Sequence, residues 1–207
     1  MDTTNYKLTL PIAADSKLSG RALEVDGINI AQGADYFWFK NEDDRMTFRV
    51  PDCGATTPNT TSARSELRHL IDYPVSEASS LKIRTTVLAA KTTKNLTLMQ
   101  IHGGSSPWVK ITYKNGLVRA FVKPLDGSSE DIKIILAENI AIGTPMDIGL
   151  AYDAGLLTIT LAANLGSYIV EVEMGRTGTY FYKHGAYPAD SDGTGFVYEV
   201  LNESVPA

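Results

Sequence analysis

The chain has 207 residues, a length that suits one domain with a core large enough to need neither disulfides nor a metal for stability. The formal net charge of −5 argues against a nucleic-acid-binding protein, although a locally basic cleft can still attract a polyanion to an acidic protein. No apolar run approaches the roughly 18 residues needed to span a bilayer, and the single cysteine, Cys53, cannot form an internal disulfide. We therefore expect a single domain over residues 1–207 that binds neither nucleic acid nor membrane.

Short strands separated by turns follow one another along the chain. Asn115-Gly116 is a strong hairpin signal between predicted strands at 109–113 and 117–123. The turn Asp153-Ala154-Gly155 separates two further strands, 146–152 and 156–162, in which apolar residues alternate with polar ones. A last strand is predicted at 196–201. Many short strands with no long amphipathic helix indicate an all-β sandwich or jelly roll.

Three of the predicted strands carry polar residues on one face. Because side chains alternate along a strand, three groups each share a face: Arg64, Glu66 and Arg68; Gln100 and His102; Lys183, Gly185 and Tyr187. Each group alone is typical of a solvated face, a structural histidine or an edge strand. If the strands are neighbours, the combined surface is suited to binding a carboxylate and moving a proton.

That combination fits β-elimination on a uronic acid polymer. Removing the weakly acidic C5 proton builds negative charge on the sugar carboxylate, and Arg64 and Gln100 are donors that would stabilise it. His102 can accept the proton near neutral pH, and Tyr187 can protonate the leaving O4. A glycoside hydrolase would instead need two carboxylic acids across the bond, and the pairs in Glu24-Val25-Asp26 and Glu171-Val172-Glu173 lack the third acid of sandwich-fold glucanases.

Three segments resemble, in order, the signature segments of family 7 polysaccharide lyases, the alginate lyases. They are residues 64–68 (RSELR), 100–102 (QIH) and 181–187 (FYKHGAY), and the stretches 7–11 and 54–59 are also similar. The resemblance implies a jelly-roll β-sandwich of two antiparallel sheets with a concave substrate groove. It also implies a single catalytic domain, 1–207, that cleaves guluronate or mannuronate linkages of alginate without a cofactor or metal.

The resemblance assigns a role to each matching residue. Arg64 and Gln100 would neutralise the substrate carboxylate, and His102 would be the base toward guluronate. Tyr187 would be the acid, and both base and acid toward mannuronate. Substrate binding would fall to Lys183 and Arg68, with Glu66 orienting the arginines.

Two departures from the family pattern concern the third segment. His184 stands where the family usually has alanine, and Pro188-Ala189 replaces a polar pair after Tyr187. Alternation turns His184 away from Lys183, so we expect it to pack in the interior. The loss of the polar pair leaves the substrate preference open, but it does not change the reaction that we expect.

Outside these segments, further residues near the Asn115-Gly116 hairpin could extend a basic groove: Lys110, Tyr113 and Arg119. A solvated hairpin is an equally good interpretation of them. Trp108 is expected in the core.

Two other functions stay open at this stage. One is a lyase for another polyuronide such as glucuronan, because the machinery recognises a carboxylate and a C5 proton. The other is a non-catalytic carbohydrate-binding module, which would have no need of His102 and Tyr187 on one face with Gln100. We expect the protein to be a monomer that binds an acidic polysaccharide as its substrate. We also expect it to be secreted or periplasmic, with a signal peptide removed.

Overall fold

A computed structural model describes residues 2–31, 37–42, 44–58, 60–125, 130–164, 166–189 and 193–205. These residues form a β-sandwich of two antiparallel sheets, which confirms the predicted fold class. In the described part of the chain, no helix is long and apolar enough to cross a membrane.

The first eight strands are β1 Tyr6–Leu10, β2 Leu23–Asp26, β3 Phe39–Glu42, β4 Arg45–Pro51, β5 Ser65–His69, β6 Tyr73–Pro74, β7 Ser79–Ala89 and β8 Leu96–Gly103. The remaining eight are β9 Ser106–Lys114, β10 Leu117–Val122, β11 Ile132–Ala137, β12 Pro145–Asp153, β13 Leu156–Ala163, β14 Gly166–Glu173, β15 Thr179–Pro188 and β16 Val197–Glu203. A short helix, α1 Gly27–Ala31, follows β2 and was not predicted.

The strands divide into two sheets. One, which we call the cleft sheet, has the order β11-β10-β9-β8-β15-β5-β1-β2, with β6 paired to β15. The other, the back sheet, has the order β14-β13-β12-β7-β16-β4-β3. Strands far apart in sequence, β5, β8 and β15, are therefore neighbours at the centre of the cleft sheet.

The predicted hairpins are present, and their turns have the backbone geometry that their residues favour. Asn115 and Gly116 both have positive φ, 48° and 79°, as a two-residue turn that follows the strand twist requires. Ala154 and Gly155 also have positive φ in the turn between β12 and β13. Burial alternates along both of those strands as predicted, with Met146, Ile148, Leu150 and Tyr152 inside, together with Leu157, Ile159 and Leu161.

One core runs between the sheets and includes the large side chains of both. Trp108 is buried in it, as expected, and its indole packs directly on the Gly103 backbone, where a side chain would collide with the ring. The two sheets also meet where β15 of the cleft sheet lies over β16 and β4 of the back sheet. The core thus supports the central strands of the cleft sheet from beneath.

An irregularity in β15 shapes the cleft face. The pairing of β15 with β8 shifts between His184 and Tyr187, as in a β-bulge. The chain advances three residues on β15, from His184 to Tyr187, but only two on β8, from Met99 to Thr97. Gly185 lies within this shift at φ 140°, and a Cβ there would lie 2.5 Å from the Ser65 carbonyl oxygen. Glycine is therefore required at this point for β15 to approach β5 closely.

Candidate active site

Strand register brings the three predicted polar groups onto one surface. Lys183 of β15 pairs with Gln100 of β8 on one side and with Arg68 of β5 on the other. On the far side of β8, Gln100 pairs with Lys110 of β9. The predicted neighbourhood of the three segments is thus present in the structure.

Glu66 is the centre of the hydrogen-bond network on this surface. Its carboxylate is almost fully buried and accepts hydrogen bonds from Arg64 Nη1 at 3.2 Å, Lys183 Nζ at 3.1 Å and Gln100 Nε2. Burial alone would raise the pKa of Glu66, but the adjacent Lys183 and Arg64 outweigh it and the pKa is lowered. Glu66 is therefore an ionised carboxylate that fixes three donors in place.

Arg64 has donors to spare after its contact with Glu66. Its Nε and Nη2 have no hydrogen-bond partner among the described residues, although both atoms are buried. Its guanidinium carbon lies 3.9 Å from the centre of the Tyr187 ring. A guanidinium is a planar fork of donors that matches a carboxylate, and that of Arg64 lies over a phenol ring.

His102 is a neutral imidazole held close to several cations. Burial, with a smaller effect of Lys183, Arg64 and Arg68, lowers its pKa to about 4 against the opposing effect of Glu66. The buried Nδ1 has no hydrogen-bond partner among the described residues. The ring instead stacks on Phe181, with the two ring centres 5.1 Å apart and the planes 18° apart.

A cleft of about 440 Å³ opens over these groups. Its walls include five of the predicted residues with the right chemistry for elimination or substrate binding: Arg64, Gln100, His102, Lys183 and Tyr187. Lys110 also lines it and lies 3.5 Å from Asp131. Cations, an amide, an imidazole and a phenol thus share one concave, solvent-accessible space.

Two of the predicted substrate-binding residues flank the cleft rather than line it. Arg68 donates to Asp72 Oδ1 at 2.9 Å, and its guanidinium carbon lies 3.9 Å from the centre of the Phe181 ring. Arg119 donates to Asn95 Oδ1 at 3.1 Å. Both remain candidates for contacts with a polymer that extends beyond the cleft.

Tyr113 is not brought to the cleft, which corrects its place among the predicted substrate contacts. Its side chain is buried and its hydroxyl donates to the Ile140 carbonyl at 2.9 Å. Strand alternation is the physical reason, because Tyr113 and Lys110 are an odd number of residues apart on β9 and face opposite sides.

Some wall residues were not predicted. Thr57 and Thr60 come from the loop before β5, and their hydroxyls are 3.1 Å apart; Ser105 and Pro107 come from the β8–β9 hairpin. The similarity of the 54–59 stretch to the alginate lyases was a signal for Thr57 but does not include Thr60. Phe181 lay inside a signature segment, but nothing in the sequence marked its contact with His102.

A second cavity, of about 450 Å³, lies elsewhere on the molecule and lacks this chemistry. Its walls in the described residues are neutral and include Asn115, Asn139 and Ile142. Its one titratable wall residue, Tyr113, already donates its hydroxyl proton to a backbone carbonyl. Among the described residues, no group of three or more His, Cys, Asp and Glu side chains is arranged to hold a metal ion.

His184 faces the interior, as its position in the alternation predicted. It is buried between the sheets, where Asn202 Nδ2 lies 2.9 Å from His184 Nδ1 and the rings of Tyr6 and Phe48 lie edge-on to the imidazole. Burial lowers the pKa of His184 to about 3. It is a packing residue and has no access to the cleft.

Comparison with known proteins gives one family and many similar folds. The alginate lyase family model matches residues 1–204, and no curated protein matches the chain. The structure is similar to alginate lyase A1-II′, a member of polysaccharide lyase family 7, at 22% identity over 98% of this chain and 93% of that one, with a TM-score of 0.83. It is also similar to an alginate lyase from Pseudomonas aeruginosa at 20% identity over 100% and 98% of the two chains, with a TM-score of 0.84. A third similar structure, the alginate lyase from Klebsiella pneumoniae, has 17% identity over 100% and 95%, with a TM-score of 0.82.

Proposed function

The chain belongs to the alginate lyase family and is a polysaccharide lyase, and from this premise we propose that it cleaves alginate by β-elimination in the cleft lined by Arg64, Gln100, His102 and Tyr187. The observation that carries the proposal is that a neutral imidazole and a phenol share one cleft with an arginine that has two donors unpartnered among the described residues. A module that only bound sugar would have no need of that combination.

Recognition of the uronate carboxylate would begin at Arg64. Arg64 lines the cleft and Glu66 holds its Nη1, so a uronate carboxylate entering the cleft would meet a guanidinium whose position is already fixed. Because Glu66 already fixes Arg64 and Gln100, these donors need little reorganisation as charge develops on the carboxylate. Such preorganised donors stabilise the enolate-like transition state more than the ground state.

Proton abstraction would then fall to His102 for guluronate. With a pKa of about 4 the imidazole is neutral at pH 7, so a ring nitrogen is free to accept the C5 proton. The same low pKa makes His102 a weak base before substrate binds. A bound uronate carboxylate would offset Lys183 and Arg64, the two cations that lower the pKa of His102 most, so substrate binding would itself strengthen the base.

Tyr187 would complete the reaction. As the C4–O4 bond breaks and the C4–C5 double bond forms, its hydroxyl would donate a proton to O4. The Arg64 guanidinium over its ring would stabilise the phenolate that remains. The same stabilisation would let Tyr187 act as both base and acid on mannuronate, where the C5 proton lies on the other face of the sugar.

The structural neighbours support this substrate. A variant of alginate lyase A1-II′ with one histidine changed to asparagine and one tyrosine to phenylalanine was solved in complex with substrate. Another variant, with only the tyrosine changed, was solved in complex with product. A protein of the same fold thus binds both the substrate and the product of an alginate lyase.

The test is to incubate the protein separately with polyguluronate, polymannuronate and glucuronan. The unsaturated product absorbs in the near ultraviolet because its double bond is conjugated with the carboxylate. We expect absorbance to rise with one or both alginate blocks and not with glucuronan. New reducing ends without absorbance would mean hydrolysis, and binding without either would mean a carbohydrate-binding module; both would contradict the proposal.

A further inference from the structure

The catalytic imidazole lacks the contact that usually orients a histidine. A functional histidine commonly donates one ring N–H to a carboxylate or carbonyl, and that bond fixes the tautomer and the plane of the ring. His102 Nδ1 is buried without such an acceptor among the described residues. Another contact must hold the ring plane.

Phe181 provides that contact. It pairs directly with His102 across β15 and β8, and the two rings are nearly parallel. On its other side the Phe181 ring faces Arg68, whose guanidinium carbon is 3.9 Å from the ring centre. Because β15 lies between β8 and β5, the imidazole and the guanidinium approach the ring from opposite sides.

The aromatic ring therefore does two things at once. It presents a flat face against which the imidazole can lie in only one plane. It also keeps the Arg68 charge and its hydration away from the imidazole on that side. The charged and titratable groups around His102 are otherwise Arg64 and Glu66 from the β5 side, Lys183 and Tyr187 from β15, and Lys110 from β9.

We propose that Phe181 is a positioning residue for the lyase reaction: its ring, held from behind by Arg68, fixes the plane of the His102 imidazole in place of a hydrogen-bond acceptor. The proposal rests on the proposed function in that His102 is the base. It goes further by assigning the orientation of that base to an apolar side chain that does not itself take part in the chemistry.

The first test measures the imidazole directly, without substrate. Histidine side-chain NMR resolves the three histidines, and His102→Gln identifies the His102 signal. Phe181→Leu keeps an apolar side chain but removes the flat face, and its smaller volume admits water, so the His102 titration midpoint should rise from about 4 toward its ordinary 6.5. Phe181→Tyr should keep the wild-type midpoint.

Phe121 offers a matched control on the same sheet. It lies on β10, and its ring is near Lys110 and Arg119, at 5.6 Å and 5.3 Å. Phe121→Leu therefore removes an aromatic ring that also lies beside two cations but does not stack on His102. The His102 midpoint should stay at the wild-type value in this variant.

The second test uses turnover. Misorientation of a base slows the chemical step more than binding, so Phe181→Leu should lower kcat by about 10-fold with KM near that of wild type, and Phe181→Tyr should restore kcat. Phe181→Met serves as a second variant should Phe181→Leu fold poorly. An unchanged His102 titration, or an unchanged kcat, in a folded variant without the ring would overturn the proposal. If wild type shows no lyase activity the proposed function fails, whereas the NMR experiment still decides whether the Phe181 ring packs on His102 and keeps water from it.

Discussion

His102 and His184 lie on neighbouring strands of the same sheet and face opposite ways. His102, on β8, lines the cleft, and His184, on β15, lies between the sheets against Asn202 and Phe48. Burial is the main cause of a lowered pKa in both, to about 4 and about 3. A depressed pKa therefore does not by itself separate a catalytic histidine from a structural one.

The difference lies in what surrounds each ring. Asn202 Nδ2 lies 2.9 Å from His184 Nδ1, so one lone pair of that ring is occupied, and its other nitrogen is enclosed without a partner among the described residues. The cleft ring instead has cations, a carboxylate and a phenol within reach. Access to substrate and the nearby charges make His102 suitable for proton transfer. Variants on the cleft side of the sheet should therefore change activity, and variants on the core side should change stability.

The largest expected effect is on the cleft side. His102→Gln and Tyr187→Phe should each lower kcat by about 10²-fold or more, because each removes a proton-transfer group, while substrate binding largely survives. Thermal stability should stay near that of wild type, since both side chains border the cleft. Absorbance assays and thermal melts check this, and near-normal turnover in both variants would show that the roles are wrongly assigned.

Glu66→Gln should affect both activity and stability, because this carboxylate is buried beneath the cleft and joins its donors. The change leaves Arg64 and Lys183 without their shared anion, and breaking such a buried pair costs about 3–5 kcal/mol. We expect kcat/KM to fall by about 10-fold or more as the donors lose their positions. Chemical denaturation and kinetics measure the two effects, and wild-type values for both would contradict the central role of Glu66.

On the core side, His184→Ala should destabilise the protein and leave activity per folded molecule unchanged. The loss of a buried ring and of its contact with Asn202 should cost about 2–4 kcal/mol at neutral pH. The double variant His184→Leu/Asn202→Leu is the control, because it replaces both polar partners with apolar groups and should cost less. A fall in kcat with unchanged stability would place His184 in the catalytic machinery instead.

The stability difference between wild type and His184→Ala should depend on pH, and the direction of that dependence follows from the low pKa of His184. Between its ordinary pKa of 6.5 and about 3, His184 is protonated in the unfolded chain and neutral in the folded one. Wild type therefore keeps this contribution to stability above pH 6.5 and loses it as pH falls toward 3. The stability gap between wild type and His184→Ala should narrow over that range in denaturation curves, and a constant gap would contradict the assignment.

Strand alternation explains how far the sequence could predict this site. It placed Gln100 with His102, and turned His184 inward, because each statement needs only the parity of positions on one strand. The adjacency of β5, β8 and β15 is a matter of topology, which the signature segments implied through resemblance and which local patterns do not contain. The stacking of Phe181 on His102 depends on the register of two strands 79 positions apart, and neither composition nor periodicity specifies that.

The smallest expected effects come from β9, where Lys110 and Tyr113 were both predicted to extend the groove although their side chains point to opposite faces of the strand. Lys110 faces the cleft and Tyr113 faces the core, so the same strand should divide binding from stability. Lys110→Met should raise KM a few-fold with little change in kcat, because an ion pair at the solvent-exposed rim of a cleft contributes little binding free energy. Tyr113→Phe should leave both kinetic constants unchanged and lower stability by about 0.5–1.5 kcal/mol, because it removes only the hydrogen bond to Ile140. A KM effect from Tyr113→Phe equal to that of Lys110→Met would mean that the polymer reaches the far side of β9, which the burial of Tyr113 opposes.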